Sequence, residues 1–303
     1  MESNTGKGAR CKLSSIKFSI CVIDPVGYKF THFLYDTIRY LCYSLEDAGY
    51  DCCINRNLLM NDRINIIVGL HLINDMSVVD QIIRYRNYIV LQTELVTDKV
   101  FQGAVSQEHL REVQLPVLRN ARAVWTGIES SVAHLRELGV NARFILYGYN
   151  ERMEEIRHKR HKDIDFLFFG SITRHRARML GELKQKGGNV VTIFDDPYLY
   201  RNDLIARTRV NLSLNQGPDM VQFSGSRVIY LLNNRCIVVA ERSAGQERFE
   251  KCFFHAPEDE WADLCLETVR RSDLDKVAEE FYEEFRKVRM SDYIKELLES
   301  SNL

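Results

Sequence analysis

Asp163-Ile164-Asp165-Phe166-Leu167-Phe168-Phe169-Gly170-Ser171-Ile172-Thr173-Arg174-His175-Arg176 decides how the rest of the chain is read. An apolar run of strand length ends at glycine and serine, then passes directly into an arginine-rich segment with helical spacing. Two more runs in the same half end in a similar way. Residues 210–215 lead through a polar loop to Ser224-Gly225-Ser226-Arg227, which opens a helix, and residues 236–240 end at Glu241. Strand, loop and helix repeated in this order predict a parallel sheet with helices on its faces. Such sheets bind ligands beyond the carboxyl ends of their strands.

Working outward, the second half predicts strands at 164–170, 189–194, 210–215 and 236–240 with helices at 174–186, 198–208 and 225–233. After these the chain closes with helices only, near 258–271, 273–288 and 291–299. The first half alternates in the same manner. Its strands are expected at 16–23, 50–54, 64–70, 88–91, 123–126 and 143–146. Phe30, Phe33, Leu34, Ile38, Leu41 and Leu45 recur at helical spacing up to the stop at Gly49. The segment Glu151 to Lys162, with the basic run Arg157-His158-Lys159-Arg160-His161-Lys162, breaks the pattern and reads as a linker. The expected fold is therefore α/β, with two Rossmann-like parallel-sheet domains facing across a cleft and a helical tail. The units are residues 1–150, 163–272 and 273–303.

Length and composition set bounds on this reading. A chain of 303 residues is long enough for two domains, each with its own core. The formal net charge of −1 gives no whole-molecule field for nucleic acid or anionic membrane, so nucleic acid is not an expected partner and any anion site must be local. The 8 cysteines include no CxxC pair, and no Cys/His spacing suits zinc. They read as reduced core residues of a cytoplasmic protein. No apolar run approaches the ~18 residues of a membrane span; peripheral membrane contact stays open.

Gly170, Ser171, Arg174 and Arg176 suit an anion: glycine admits a close approach, the helix start offers N–H groups, and arginine adds a planar fork. Basic residues at a helix start also oppose its dipole, so they call for an anion there. Ser224, Gly225 and Ser226 repeat the theme at a second helix start, and Arg227 suits either a phosphate or a nearby acid. Asp195 and Asp196 stand where a dinucleotide fold keeps its ribose acid. Gly170-Ser171-Ile172-Thr173 nevertheless lacks the second and third glycines of that fingerprint. In the first half, Glu94, His32 and Asp98 are candidate general bases toward a hydroxyl, with Glu94 ranked first because it directly follows an apolar strand. No metal site is expected; His158 and His161 lack a third ligand.

Residues 163–176, 209–215 and 226–241 resemble the C-terminal half of GT-B glycosyltransferases, nearest to the CgeB-like and related bacterial and viral group. The resemblance implies a transferase that moves a sugar from a nucleotide-sugar donor, held by the second domain, to a hydroxyl acceptor held by the first. The acceptor would be a glycan, a lipid-linked glycan or a small metabolite. It further implies that Gly170, Ser171 and Arg174 face the diphosphate, that Glu241 lies near the donor ribose or sugar, and that no cofactor or metal is needed. Many relatives carry a glutamate where this chain has Ser224. The alternatives are a nicotinamide-dependent oxidoreductase and a non-catalytic nucleotide-sugar binding protein.

Overall fold

The computed structural model describes residues 16–97, 107–194, 198–217, 221–223 and 225–301. Two separate sheets carry the fold, both wholly parallel. The first has the order β2-β1-β3-β4-β5-β6, built from β1 (Lys17–Val22), β2 (Asp51–Arg56), β3 (Ile64–Val68), β4 (Tyr88–Gln92), β5 (Val124–Thr126) and β6 (Ala142–Phe144). The second has the order β11-β10-β9-β7-β8, built from β7 (Ile164–Phe169), β8 (Val190–Ile193), β9 (Thr208–Ser213), β10 (Val238–Glu241) and β11 (Phe254–Ala256).

Central strands such as β3 and β4 are buried along their whole length, because helices cover both faces of a parallel sheet. Alternate residues serve different cores. Ile20, Ile66 and Ile89 point to one face, while Cys21, Ile67 and Val90 point to the other. The latter face packs on α2 (Met76–Tyr85), on the helical run Gln107–Asn120 and on α5 (Glu129–Glu137). The run Gln107–Asn120 comprises α3 (Gln107–His109), a π turn at Leu110–Gln114 and α4 (Leu115–Asn120).

The Ile20 face opens into a core that both halves share. It runs from the first sheet through α1 (Tyr35–Asp47) to Val228, Ile229 and Leu232 of α8 (Gly225–Asn233), and on to Ile294, Leu297 and Leu298 of α11 (Met290–Ser300). A buried residue of this kind contributes ~1.5–3 kcal/mol, so the apolar seam is a large part of what holds the two sheets in one arrangement. The opposite face of the second sheet has its own core against α6 (Arg174–Gln185) and α9 (Glu258–Val269). The chain crosses back to the first half after α10 (Leu274–Phe285). There Tyr149 N–H donates to Val288 O at 2.7 Å and Met290 N–H to Tyr149 O at 3.1 Å.

One sequence expectation needs correction. The chain does not close with helices only, since β11 adds an edge strand beside β10. At 3 residues it is too short to show a period. The segment 151–162, which connects the two sheets, is held in place. Asn233 and Asn234 at the end of α8 grip it: Asn233 exchanges bonds with Asn150 at 2.9 and 3.0 Å, and Asn234 Oδ1 accepts from Glu155 N at 2.7 Å and Ile156 N at 2.9 Å. Its His158 is also engaged, with Nε2 at 2.7 Å from Asn234 O. All seven described cysteines are unpaired, and six of them are buried. No described helix is long and apolar enough to cross a membrane.

Candidate active site

The strand order of the second sheet reverses at β7, whose neighbours are β8 on one side and β9 on the other. The crevice between the carboxyl ends of β7 and β9 is the ligand position in sheets of this type. Arg176 closes its base. Thr173 caps α6 by accepting from Arg176 N at 3.3 Å, and the helical period then turns Arg176 inward with Met179, Leu180 and Leu183. Its guanidinium donates to Leu214 O at 2.9 Å, Asn215 O at 3.0 Å and Ser171 O at 3.0 Å, so one side chain ties the two loops of the crevice together. Burial pushes this guanidinium down to about 10, against the pull of Glu241.

Arg227, in the first turn of α8, lies alongside. Its Cζ sits 4.8 Å from the ring centre of Phe168 and 5.5 Å from that of Phe169. Nε and Nη1 are buried with no hydrogen-bond partner among the described residues. Burial and then the positive charge of Arg176 push it down to about 9. A cation held in this way lacks its anion, since an isolated buried charge is costly unless something pairs with it. Gly170 makes the position possible. It has φ +136°, and a Cβ there would stand 2.6 Å from Arg227 Nη2.

Both arginines face a cleft of about 1240 Å³ between the two sheets. Across it, Glu94 follows β4. Its Oε1 accepts from Thr93 Oγ1 at 3.3 Å and stands 3.9 Å from Nδ1 of His71, a ring that burial keeps toward the neutral form despite the nearby carboxylate. His32 lies in a short helical turn ahead of α1, with Nδ1 3.0 Å from Lys29 O. A charged web crosses the cleft wall. Asp36 of α1 accepts from Arg39 at 2.7 Å and, from the other half, Arg201 of α7 (Tyr198–Arg207) at 2.5 Å. Glu155 takes Arg39, Tyr198 and Tyr230.

Of the residues expected from sequence, Glu94, His32, Gly170, Ser171, Arg176, Gly225, Ser226 and Arg227 line this one cleft. Arg174 does not. It is exposed on the outer face of α6, because the turn that buries His175 and Arg176 sends position 174 outward. Glu241 is also absent from the lining: its carboxylate sits 2.9 and 3.0 Å from His175 Nε2 and accepts Asn215 N–H at 2.9 Å, binding α6 to the β9 loop. Glu258 stands 3.8 Å from the other ring nitrogen of His175 and is ion-paired to Arg178. His175, Glu241 and Glu258 are close enough to hold a metal ion. His175 turns opposite nitrogens to the two acids: Nε2 is within hydrogen-bond distance of Glu241, whereas Nδ1 stands beyond that distance from Glu258 and 3.4 Å from Arg178 Nη2. Asp98, Ser224, Asp195 and Asp196 lie outside the described residues. Sequence reasoning missed Asp36, Arg39, Tyr198 and Arg201. Their signal was the i, i+3 spacing of Asp36 with Arg39 and of Tyr198 with Arg201, each just past a predicted strand and loop.

No protein-family model matches the chain, and none of the curated proteins matches it in sequence. Its backbone is similar to solved structures. T4 phage BGT in complex with its UDP-glucose substrate superposes with a TM-score of 0.61 at 12% identity, over 95% of this chain and 100% of that one. The N-terminal domain of Candida albicans trehalose-6-phosphate phosphatase gives 0.54 at 9%, over 98% of each chain. AviGT4, a glycosyltransferase involved in avilamycin A biosynthesis, gives 0.51 at 11%, over 94% of this chain and 97% of that one. These likenesses establish the GT-B fold: two parallel α/β sheets facing across a cleft, with C-terminal helices.

Proposed function

We propose that the protein is a glycosyltransferase that moves a sugar from a nucleoside-diphosphate sugar to an acceptor hydroxyl. The observation that carries this reading is Arg227, a buried guanidinium with two nitrogens that have no partner among the described residues, at the switch point of the second sheet, reinforced by Arg176. Two adjacent arginines, one of them with buried nitrogens that no described residue partners, suit a diphosphate better than a nucleoside or a neutral sugar. The acceptor hydroxyl gives its proton to Glu94 as its oxygen bonds to the anomeric carbon. The bond from that carbon to the diphosphate breaks, and the leaving charge develops beside the two guanidiniums. They supply the positive charge that a divalent ion can supply elsewhere, so the transfer is read as metal-independent. In this reading the donor rests on the second sheet and the acceptor on the first, and the resemblance of residues 163–241 to the CgeB-like group fits it.

T4 phage BGT binds UDP-glucose, which makes that donor the first to test. Calorimetry with UDP-glucose, UDP-N-acetylglucosamine, GDP-mannose and NAD(P), followed by single-turnover transfer with and without EDTA, distinguishes the readings. Tight binding of one nucleotide-sugar class with EDTA-resistant transfer is the expected result. Binding of NAD(P) alone would sink the proposal.

A further inference from the structure

The mouth of the cleft is built differently from its floor. Phe30 and Phe33 lie with ring planes within 6° and centres 5.7 Å apart. Phe194, from the opposite sheet, meets them at 5.9 and 5.2 Å, and Tyr28 caps Phe30 edge-on at 5.7 Å. The result is a stepped aromatic shelf that spans both walls. It is not buried: Phe33 is 46% and Phe194 45% exposed. An exposed aromatic patch at the entrance of a polar cleft marks a binding surface.

Several polar groups around the shelf are engaged with one another. Arg56 donates to Tyr35 Oη at 2.7 Å and pairs with Asp24 at 3.3 Å; Asp24 also accepts Thr31 Oγ1 at 2.5 Å. Arg39 and Arg201 are held by Asp36. Much of the surface that the described residues offer at the lip is therefore ring face, beside Tyr28, Lys29 and His32, whose ring centre stands 4.4 Å from that of Phe33. An aliphatic chain would gain only the burial of apolar surface here, whereas a planar ring gains stacking in addition. Glu94 lines the same cleft as the shelf, and burial, with the Glu94 charge as the lesser cause, raises the pKa of the Tyr28 phenol.

We propose that the acceptor is a hydroxyl carried on a planar aromatic ring system, stacked on the Phe30, Phe33 and Phe194 shelf with its oxygen directed toward Glu94. This rests on the transferase reading and names its acceptor class. The step balances. The aromatic O–H passes its proton to Glu94, the oxygen bonds to the anomeric carbon, and the carbon–oxygen bond to the diphosphate breaks with its electron pair leaving on the nucleoside diphosphate. A phenolic proton, with a pKa of about 10 as in tyrosine, is within easier reach of a carboxylate base than that of an alkyl alcohol.

Fluorescence titration of the full chain with 2-naphthol, without donor, tests the shelf directly. Saturable binding is expected, weakened about two- to tenfold by Phe33→Ala and by Phe194→Ala. Phe194→Leu keeps the bulk and loses the ring, so it should resemble Phe194→Ala, while donor affinity by calorimetry stays at the parent value. With the nucleotide sugar that calorimetry selects, 2-naphthol, cyclohexanol, maltose and a single-stranded oligonucleotide are then offered as acceptors. A naphthyl glycoside formed with kcat/KM at least about tenfold above the others is the expected product. Equal or faster transfer to cyclohexanol, maltose or the oligonucleotide overturns the inference, as does naphthol binding that survives both ring deletions. If no donor binds, the transferase premise falls and the inference falls with it; naphthol titration without donor tells that failure from failure of the shelf.

Discussion

Arg227 occupies the space that a side chain at position 170 would take: its Nη2 stands 2.6 Å from the point where a Cβ on Gly170 would lie. The cation that defines the candidate donor site thus depends on the absence of a side chain on the loop that follows β7. The glycine and the arginine are 57 positions apart in sequence and act as one feature.

Replacing Gly170 with Ala strains a backbone at φ +136° and displaces the guanidinium. The strain costs about 1–3 kcal/mol. Urea denaturation should show that loss, and calorimetry a fall of at least about tenfold in nucleoside-diphosphate affinity, the scale of a lost charge-assisted bond.

Arg227→Met separates stability from function. The native state carries the burial of this cation without a partner among the described residues, so the variant should be as stable as the parent or more so. Its affinity for a nucleoside diphosphate should fall about ten- to a hundredfold, with little change for the nucleoside. Equal losses for the two ligands would show that Arg227 does not read phosphate.

Glu94→Gln keeps the size of the side chain and removes the proton acceptor. Single-turnover transfer at saturating donor should drop by roughly two to four orders of magnitude while donor affinity holds. Unchanged transfer moves the assignment to His32 or Asp98.

Asp36→Ala leaves Arg39 and Arg201 in the cleft wall without the carboxylate they share. Removing one partner of a buried pair costs about 3–5 kcal/mol. Because the side chains here keep 13–20% exposure, a loss toward the lower end is expected in urea denaturation.

Glu154 gives a pH dependence. Burial raises its pKa, but hydrogen bonds from Tyr149, Tyr282 and Arg235 outweigh that and hold it below the ordinary glutamate value. A depressed folded-state pKa contributes stability that is fully present above the unfolded value, about 4.3, and is lost as pH falls through the folded one. Glu154→Gln should therefore flatten the decline in melting temperature below about pH 4 and lower stability at neutral pH.

By itself the sequence determined the two alternating βα series, the glycine-containing loops after the strands and the helices that follow. These depend on local periodicity and turn chemistry, which a side chain expresses within a few residues of itself. Tertiary structure decided which groups face the cleft. Arg174 and Arg176 look alike in sequence, yet the helix phase against β7 and β9 sends one outward and the other into the crevice. Glu241 ends a strand as expected, but packing delivers His175 and Asn215 N–H to its carboxylate. The shelf of Phe30, Phe33 and Phe194, and the hold of Asp36 on Arg201, join residues about 160 positions apart. Their meeting depends on the angle at which α1, α8 and α11 seat the two sheets, a property of the shared apolar core that no single window of sequence contains.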